Sequence, residues 1–445
     1  MASLSTRRLV PACVLSVAAM AALVAPGAAS AGTLGEQCSG SNIIGKGSSL
    51  QKLAQQTVWN PGFNTSVNPK ACSGTQGSKG TPKVTYESVG SGAGLEAWGV
   101  NGHAFEAGTY AFVGTDEPPN QAQKEEIESH KKKPSSEATL ETIPVLQGAV
   151  AIVVHMPKGC KANSTSNPGR LVLDNITLEK IWRGVITKWS EITDGGDELT
   201  GINCTTAVKE SAITRVVRKD ESGTTAILKK YLALIEHGPV LGEMSWNELV
   251  GTHSTEWPGT VSKPSENGGG ALLKLVAETL GSIGYGNLAD ARANSSFIPP
   301  LGGKSEPTSW VPIQNNGLEQ EEETYADPAT NGDTKETANS NCANTEYTNG
   351  VTPFPPANTL EPWNEVTTKT EEEKYTICGL TYDLSFHEFS KYPGTTLAET
   401  TSANNYLLFE LASGGGQSLI KKHDYLGLTT SLDEEARVGA EKSRF

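Results

Sequence analysis

Residues Val145–Val154 read VLQGAVAIVV, with no charge and one polar side chain. A run of this length, rich in β-branched residues, fits a strand buried on both faces, which requires a sheet covered on each side. Gly148 is a plausible bulge or bend within it. Shorter strand-like pieces occur at Ile43-Ile44, Val84–Tyr86, Tyr110–Val113 and Ile213–Val217. Helical patterns alternate with them. Leu50–Trp59 is one, and Leu171–Leu173 leads into another at Thr177–Arg183, where Leu178, Ile181 and Trp182 share a face and Gly184 fits a C-cap. A third is Ala226–Ile235, with Ile227, Leu228, Tyr231, Leu232 and Ile235 inward. This alternation predicts an α/β architecture.

Residues 1–31 are read as a cleaved secretory leader. Arg7 and Arg8 precede the apolar Leu9–Val24, and Ala29-Ser30-Ala31 supplies small residues before Gly32. No small-residue box precedes a cysteine at the end of that stretch, so a soluble exported protein is expected. Without the leader six cysteines remain: Cys38, Cys72, Cys160, Cys204, Cys342 and Cys378. Six allow fifteen pairings, and an even number in an exported chain favours disulfides over metal. Sequence neighbours, Cys38–Cys72, Cys160–Cys204 and Cys342–Cys378, are the pairing expected here. The seven histidines show no metal-ligand spacing, and neither a metal nor a cofactor is expected.

The chain of 445 residues carries 36 basic and 50 acidic residues, a formal charge of −14. That balance excludes a partner bound by displacing counterions from a nucleic-acid backbone. It does not exclude a small anion, because thirteen acidic residues against three lysines fall within Gly317–Lys374 alone. This segment is rich in Asn, Thr and Pro and is expected to be a solvated surface insertion.

Three glycine- and serine-rich loops stand between strands and helices: Gly45–Leu50, Gly90–Gly94 and Arg218–Thr225. Gly40–Lys46 satisfies the first half of a nucleotide P-loop, but Gly47 stands where Ser or Thr would hold magnesium, so that reading fails. Each loop alone is an ordinary tight turn with a serine cap. Together they offer helix N-termini, which attract anions through unpaired N–H groups and a partial positive charge. Ser49, Ser91, Ser222 and Thr224 add hydroxyls, and Arg218 adds a planar fork of donors. Asp116, in Gly114-Thr115-Asp116, would repel an oxyanion unless the ligand carries a proton for it to accept. Phosphate does at neutral pH; sulfate does not.

The segments GKGSSL, VTYESVGSGAGLEAWG, FVGTDEPP, IPVLQGAVAIVV, LVLDNITLEKIWRGVITKW, VVRKDESGTT and GSIGYGNLADA, in this order, resemble the periplasmic phosphate-binding proteins of ABC transporters, the PstS family. The resemblance covers most of Ile43–Ala291 and returns in Tyr392–Thr430. It implies a two-lobe, type II binding-protein fold with a central cleft and hinge-linked lobes. Lobe 1 would be residues 32–147 with 284–445, and lobe 2 residues 148–283. It implies Ser49, Leu50, Ser91, Asp116, Arg218, Ser222, Gly223 and Thr224 as phosphate ligands, with Asp220 orienting Arg218. Leu50, where the family often has Phe, would act through its backbone N–H. Ser49 replaces the usual Thr, and Glu221 replaces a usual Gly beside the site. The implied role is capture of inorganic phosphate and delivery to a membrane permease by a monomer, with no catalysis. Two alternatives stay open: a binding protein for sulfate or molybdate, and a secreted phosphatase using Ser91 or Ser222 as nucleophile. The latter lacks an evident base or metal cluster.

Overall fold

Leu140–His155 forms one strand of sixteen residues, buried throughout except at His155. It extends five residues N-terminal to the apolar run, because Glu141, Thr142 and Pro144 interrupt the sequence pattern without leaving the ladder. Glu141 is fully buried and accepts from the Thr359 hydroxyl. The structure is a computed structural model that describes residues 40–64, 82–162, 171–192, 202–236, 243–251, 255–259, 263–264, 267–294, 308–314, 325–330, 339–342, 347–348, 356, 358–364, 366–368 and 374–445. The leader expected at 1–31 lies outside them, as do Cys38 and Cys72.

Among the described residues one sheet contains ten strands. They are β1 (Ile43–Gly47), β2 (Val84–Ser88), β3 (Phe112–Thr115), β4 (Leu140–His155), β5 (Thr214–Val217), β6 (Lys263–Pro264), β7 (Ser282–Asn287), β8 (Thr308–Val311), β9 (Cys378–Phe386) and β10 (Tyr425–Leu426). The order is β2-β1-β3-β9-β4-β7-β5-β6, with β8 and β10 also pairing β4. The first half of β4 pairs antiparallel with β9 and its second half with β7, so this strand passes through both halves of the molecule. On one side β1, β2 and β3 run parallel, and on the other β5 runs parallel to β7. This is the α/β, two-lobe arrangement the sequence implies.

The ladder irregularity is not at Gly148. Thr381 opposes Leu146 and Tyr382 opposes Pro144, which leaves Val145 as the extra residue of a bulge. Gly148 instead makes room for a side chain: a Cβ there would stand 2.7 Å from Leu50 Cδ2. The helix Asn175–Arg183 forms as expected, capped by the Asp174 carboxylate on Thr177 N–H at 2.5 Å and ended by Gly184 at φ 83°. Helix Gly223–Leu234 starts three residues before its apolar face, where Ser222 Oγ accepts from Thr225 N–H at 3.3 Å. Leu50–Trp59 is partly a π-helix, Ala54–Trp59.

Disulfides join Cys160 to Cys204 and Cys342 to Cys378, the neighbouring pairs expected. The acidic segment departs from expectation. Trp363 is fully buried against the Tyr382 ring, 5.7 Å between centroids, and Val366 joins the same cluster. Thr359 O accepts from Thr142 N–H at 2.8 Å, Leu360 O takes the Lys124 ammonium, and Asn364 O takes that of Lys230 at 2.5 Å. Within it, the described residues of 359–366 are therefore packed onto β4, β9 and helix Gly223–Leu234. A few apolar side chains decide this, and the average composition hides them. Among the described residues no helix is long and apolar enough to cross a membrane.

Candidate functional site

The three loops meet. Arg218, 1 % exposed, follows β5 and turns its guanidinium across to the loop after β1. Nε donates to Asp220 Oδ1 at 2.6 Å and Nη2 pairs with Oδ2, the bidentate geometry that fixes a guanidinium plane. Nη1 is left to donate to Ser49 Oγ at 3.0 Å. The same hydroxyl accepts from Gly269 N–H at 3.2 Å, which brings the N-terminus of helix Gly269–Glu278 to the site as well.

Asp116 lies at the end of β3. Its Oδ1 takes the Ser48 hydroxyl and the Thr381 hydroxyl, the latter at 2.9 Å, and its Oδ2 takes the Thr224 hydroxyl at 3.4 Å. Its backbone N–H donates to Ser91 Oγ at 3.1 Å. Burial pushes the Asp116 carboxyl up to about 6, while the Ser48 and Thr381 hydroxyls and the Arg218 charge pull it back. Gly223 packs directly onto it: a Cβ there would come within 2.5 Å of Asp116 Cβ and 2.8 Å of Ser91 Oγ. Only glycine permits this approach. Helices Ser91–Ala97 and Gly223–Leu234 thus present their N-termini to one place, and the first N–H groups of each have no intrahelical partner.

All the residues inferred from sequence come together here, with one qualification: Leu50 N–H donates to Ser48 Oγ at 3.0 Å in this structure. Asp220 does hold Arg218. Glu221 lies over the helix Ser91–Ala97, where its carbonyl accepts from Gly92 N–H at 3.3 Å; burial and the charges of Glu117 and Glu96 raise its carboxyl. Among the described residues neither serine considered as a nucleophile is paired with a base. Ser91 Oγ receives the Asp116 amide and Ser222 Oγ caps its helix. Four residues escaped the sequence reading: Ser48, Thr381, Gly269 and Tyr285, whose hydroxyl accepts from Arg218 N–H at 3.3 Å and lies 2.6 Å from Thr225 Oγ1. Gly268-Gly269-Gly270 before an apolar helix is a signal that could have marked Gly269. Nothing local marks Thr381.

A polar chain runs from Asp116 into the core. Gln51 Nε2 donates to Thr381 Oγ1 at 2.8 Å, and Gln55 Nε2 donates to Gln51 Oε1 at 3.2 Å, Asp383 Oδ2 at 3.3 Å and Glu410 Oε1 at 2.9 Å. Asp383 Oδ1 and Glu410 Oε2 are buried, and among the described residues no hydrogen-bond donor reaches either atom. One proton held between the two carboxyls satisfies both. Burial and the neighbouring Asp383 charge hold Glu410 well above the usual carboxylate range, and burial pushes Asp383 up to about 6. The folded state therefore binds protons that the unfolded chain releases near the ordinary values of about 4. Stability is greatest below that range and falls as pH rises through about 6 and beyond. Glu410→Gln is expected to flatten that fall and to raise the melting temperature at pH 9 by about 2–4 °C. Melting curves from pH 5 to 9 check this; a wild-type profile as flat as the variant's rules out the shared proton.

Among known proteins, the phosphate-binding protein PstS of Xylella fastidiosa (strain 9a5c) is 27% identical over 252 residues, 56% of each chain. PstS of Haemophilus influenzae is 26% identical over 234 residues, covering 52% of this chain and 54% of that protein. The chain thus aligns with about half the length of these curated relatives. A phosphate-binding protein from Stenotrophomonas maltophilia superposes with a TM-score of 0.58 at 18% identity, over 89% of this chain and 93% of that one. A high-affinity periplasmic phosphate-binding protein solved with phosphate at pH 8.5 gives 0.57 at 19%, with the same coverage. These structures share the fold. The family model of the PBP superfamily domain matches residues 46–335, well over half of the sequence, and the chain belongs to that superfamily.

Proposed function

We propose that this chain is an exported substrate-binding protein that captures inorganic phosphate between its lobes and delivers it to the permease of an ABC transporter, acting as a monomer without catalysis. The observation that carries this reading is Asp116: a buried carboxylate set among hydroxyls, helix N-termini and an arginine. Such donors suit an oxyanion, and the carboxylate suits one that still carries a proton. The names of the curated relatives and of the superposed structures point the same way.

Lobe 1 is taken as residues 32–147 with 284–445 and lobe 2 as 148–283. Lobe 1 would supply Ser49, Leu50, Ser91 and Asp116, and lobe 2 would supply Arg218, Ser222, Gly223 and Thr224. The contacts of Arg218 with Ser49 and of Thr224 with Asp116 join the two sets, as hinge closure around an ion would require. Each hydrogen bond to the ion's charged oxygens contributes about 1.5–3 kcal/mol, enough in aggregate to offset dehydration. Titration calorimetry with inorganic phosphate is expected to show one site per chain and no displacement by excess sulfate. Equal competition by sulfate would favour the general oxyanion reading, and absence of heat with either ion would remove both.

A further inference from the structure

Asp290 is a second acid at this site, and none of the contacts described so far uses it. It stands in the short helix Leu288–Ala293, directly after β7. Its Oδ2 is buried and has no hydrogen-bond partner among the described residues. The position a Cβ would occupy on Gly269 lies 3.4 Å from Ser49 Oγ, 3.8 Å from Arg218 Nη1 and 4.0 Å from Asp290 Oδ2. The missing side chain of Gly269 therefore leaves a methyl-sized space bounded by a hydroxyl, a guanidinium and an unpartnered carboxylate oxygen.

The charged and titratable groups facing Asp290 come from three elements. Lys52, in the turn after the first loop, and Arg218, after β5, favour its ionised form, and Tyr425 of β10 feels its charge. Arg292 of its own helix is turned away to Asp424, at 2.7 Å. Among the described residues none of these groups donates to Oδ2. Burial pushes the carboxyl up to about 6, against the pull of Lys52 and Arg218. A buried acceptor without a donor is costly, and a proton between it and a neighbouring oxygen removes the cost.

Resting on the phosphate reading above, we infer that Asp290 is a specificity-determining residue which holds a second proton at the bound ion, so that the site takes phosphate as its dihydrogen form or an equivalent proton count. Asp116 accepts one proton of the ion. The second lies between Asp290 Oδ2 and another ion oxygen, and it belongs to either partner without any bond to phosphorus changing. Above neutral pH free phosphate carries one proton and Asp290 none, so binding must take up about one proton per site. Affinity for total phosphate then falls by about tenfold per pH unit on the alkaline side.

Calorimetry at pH 8 in two buffers of different ionisation enthalpy, on the full chain, reads this uptake directly. The wild type is expected to take up close to one proton per phosphate, and Asp290→Asn, whose amide donates without titrating, close to none. Between pH 8 and 9 the wild-type affinity should fall by about tenfold, while that of Asp290→Asn should stay constant to within about threefold. Wild-type uptake near zero overturns the inference while leaving phosphate capture intact, as does equal uptake by the variant, which would assign the proton to Asp116. If Asp290→Asn does not fold, Asp290→Ser is put through the same buffer pair, with the same two outcomes. No binding of phosphate by the wild type at any pH removes the functional reading and this inference together.

Discussion

Arg218→Met is expected to weaken phosphate binding by roughly two to three orders of magnitude, the consequence of breaking a buried charge pair worth about 3–5 kcal/mol at about 1.4 kcal/mol per tenfold. Methionine matches the length of the stem but gives no donors. Ser49 Oγ loses the Nη1 contact, and the Asp220 carboxylate, held now at two nitrogens, is left facing the anion unpaired. The variant thus removes an attraction and exposes a repulsion. Arg218→Lys keeps the charge but cannot span both Asp220 oxygens while reaching Ser49, so it should recover only part of the loss. Arg218→Met combined with Asp220→Asn separates the two effects: it should regain affinity over the single variant yet stay at least tenfold below wild type. Phosphate calorimetry on the four proteins, with melting curves to verify folding, checks this. An Arg218→Met variant within threefold of wild type would show that Arg218 does not touch the ligand.

The loops were legible in sequence because each obeys a local rule. A strand, a Gly/Ser turn and an apolar helix make an N-terminus, and Ser49, Ser91, Ser222 and Thr224 stand at such turns. Asp116 was legible by contrast, as the acid that did not fit. The partners of Asp116 were not. Ser48 and Ser49 are adjacent hydroxyls, and only the chain path decides that Ser48 turns to the carboxylate and Ser49 to the guanidinium. Thr381 lies more than 260 residues from Asp116 in an antiparallel strand, and its alignment depends on a bulge at Val145, the first residue of an apolar run that gives no sign of it. Asp290 looks like any acid in the first turn of a helix. Trp363 and Val366 were lost in the composition of an acidic segment, although two apolar side chains suffice to dock it. Local chemistry survives in a sequence; contacts made across the sheet do not.

Asp116→Asn is expected to admit sulfate, lowering the preference for phosphate over sulfate by at least about tenfold at pH 8, where one such factor is about 1.4 kcal/mol. The substitution suits the site sterically and in its hydrogen bonds. The amide oxygen can keep the Ser48 and Thr381 donors that Oδ1 now accepts, and the amide nitrogen can donate to Thr224 Oγ1, which now faces Oδ2. What changes is the sign of the interaction with the ligand. The carboxylate needs a proton between itself and an ion oxygen, and sulfate brings none at this pH. The amide carries its own hydrogens and is indifferent to the ion's protonation. Phosphate affinity should fall only modestly, because Arg218, the hydroxyls and the helix N-termini are untouched, while sulfate affinity rises. The pH dependence supplies an independent check. Burial raises the Asp116 carboxyl to about 6, so below that value the wild-type residue is itself protonated and should resemble the amide. Sulfate should therefore compete measurably better with the wild type at pH 5 than at pH 8, and the variant should show a smaller change, the part that the Asp290 carboxyl supplies. Competition calorimetry at the two pH values measures both effects, and a wild-type sulfate affinity that is constant from pH 5 to 8 would leave Asp116 without a role in selection.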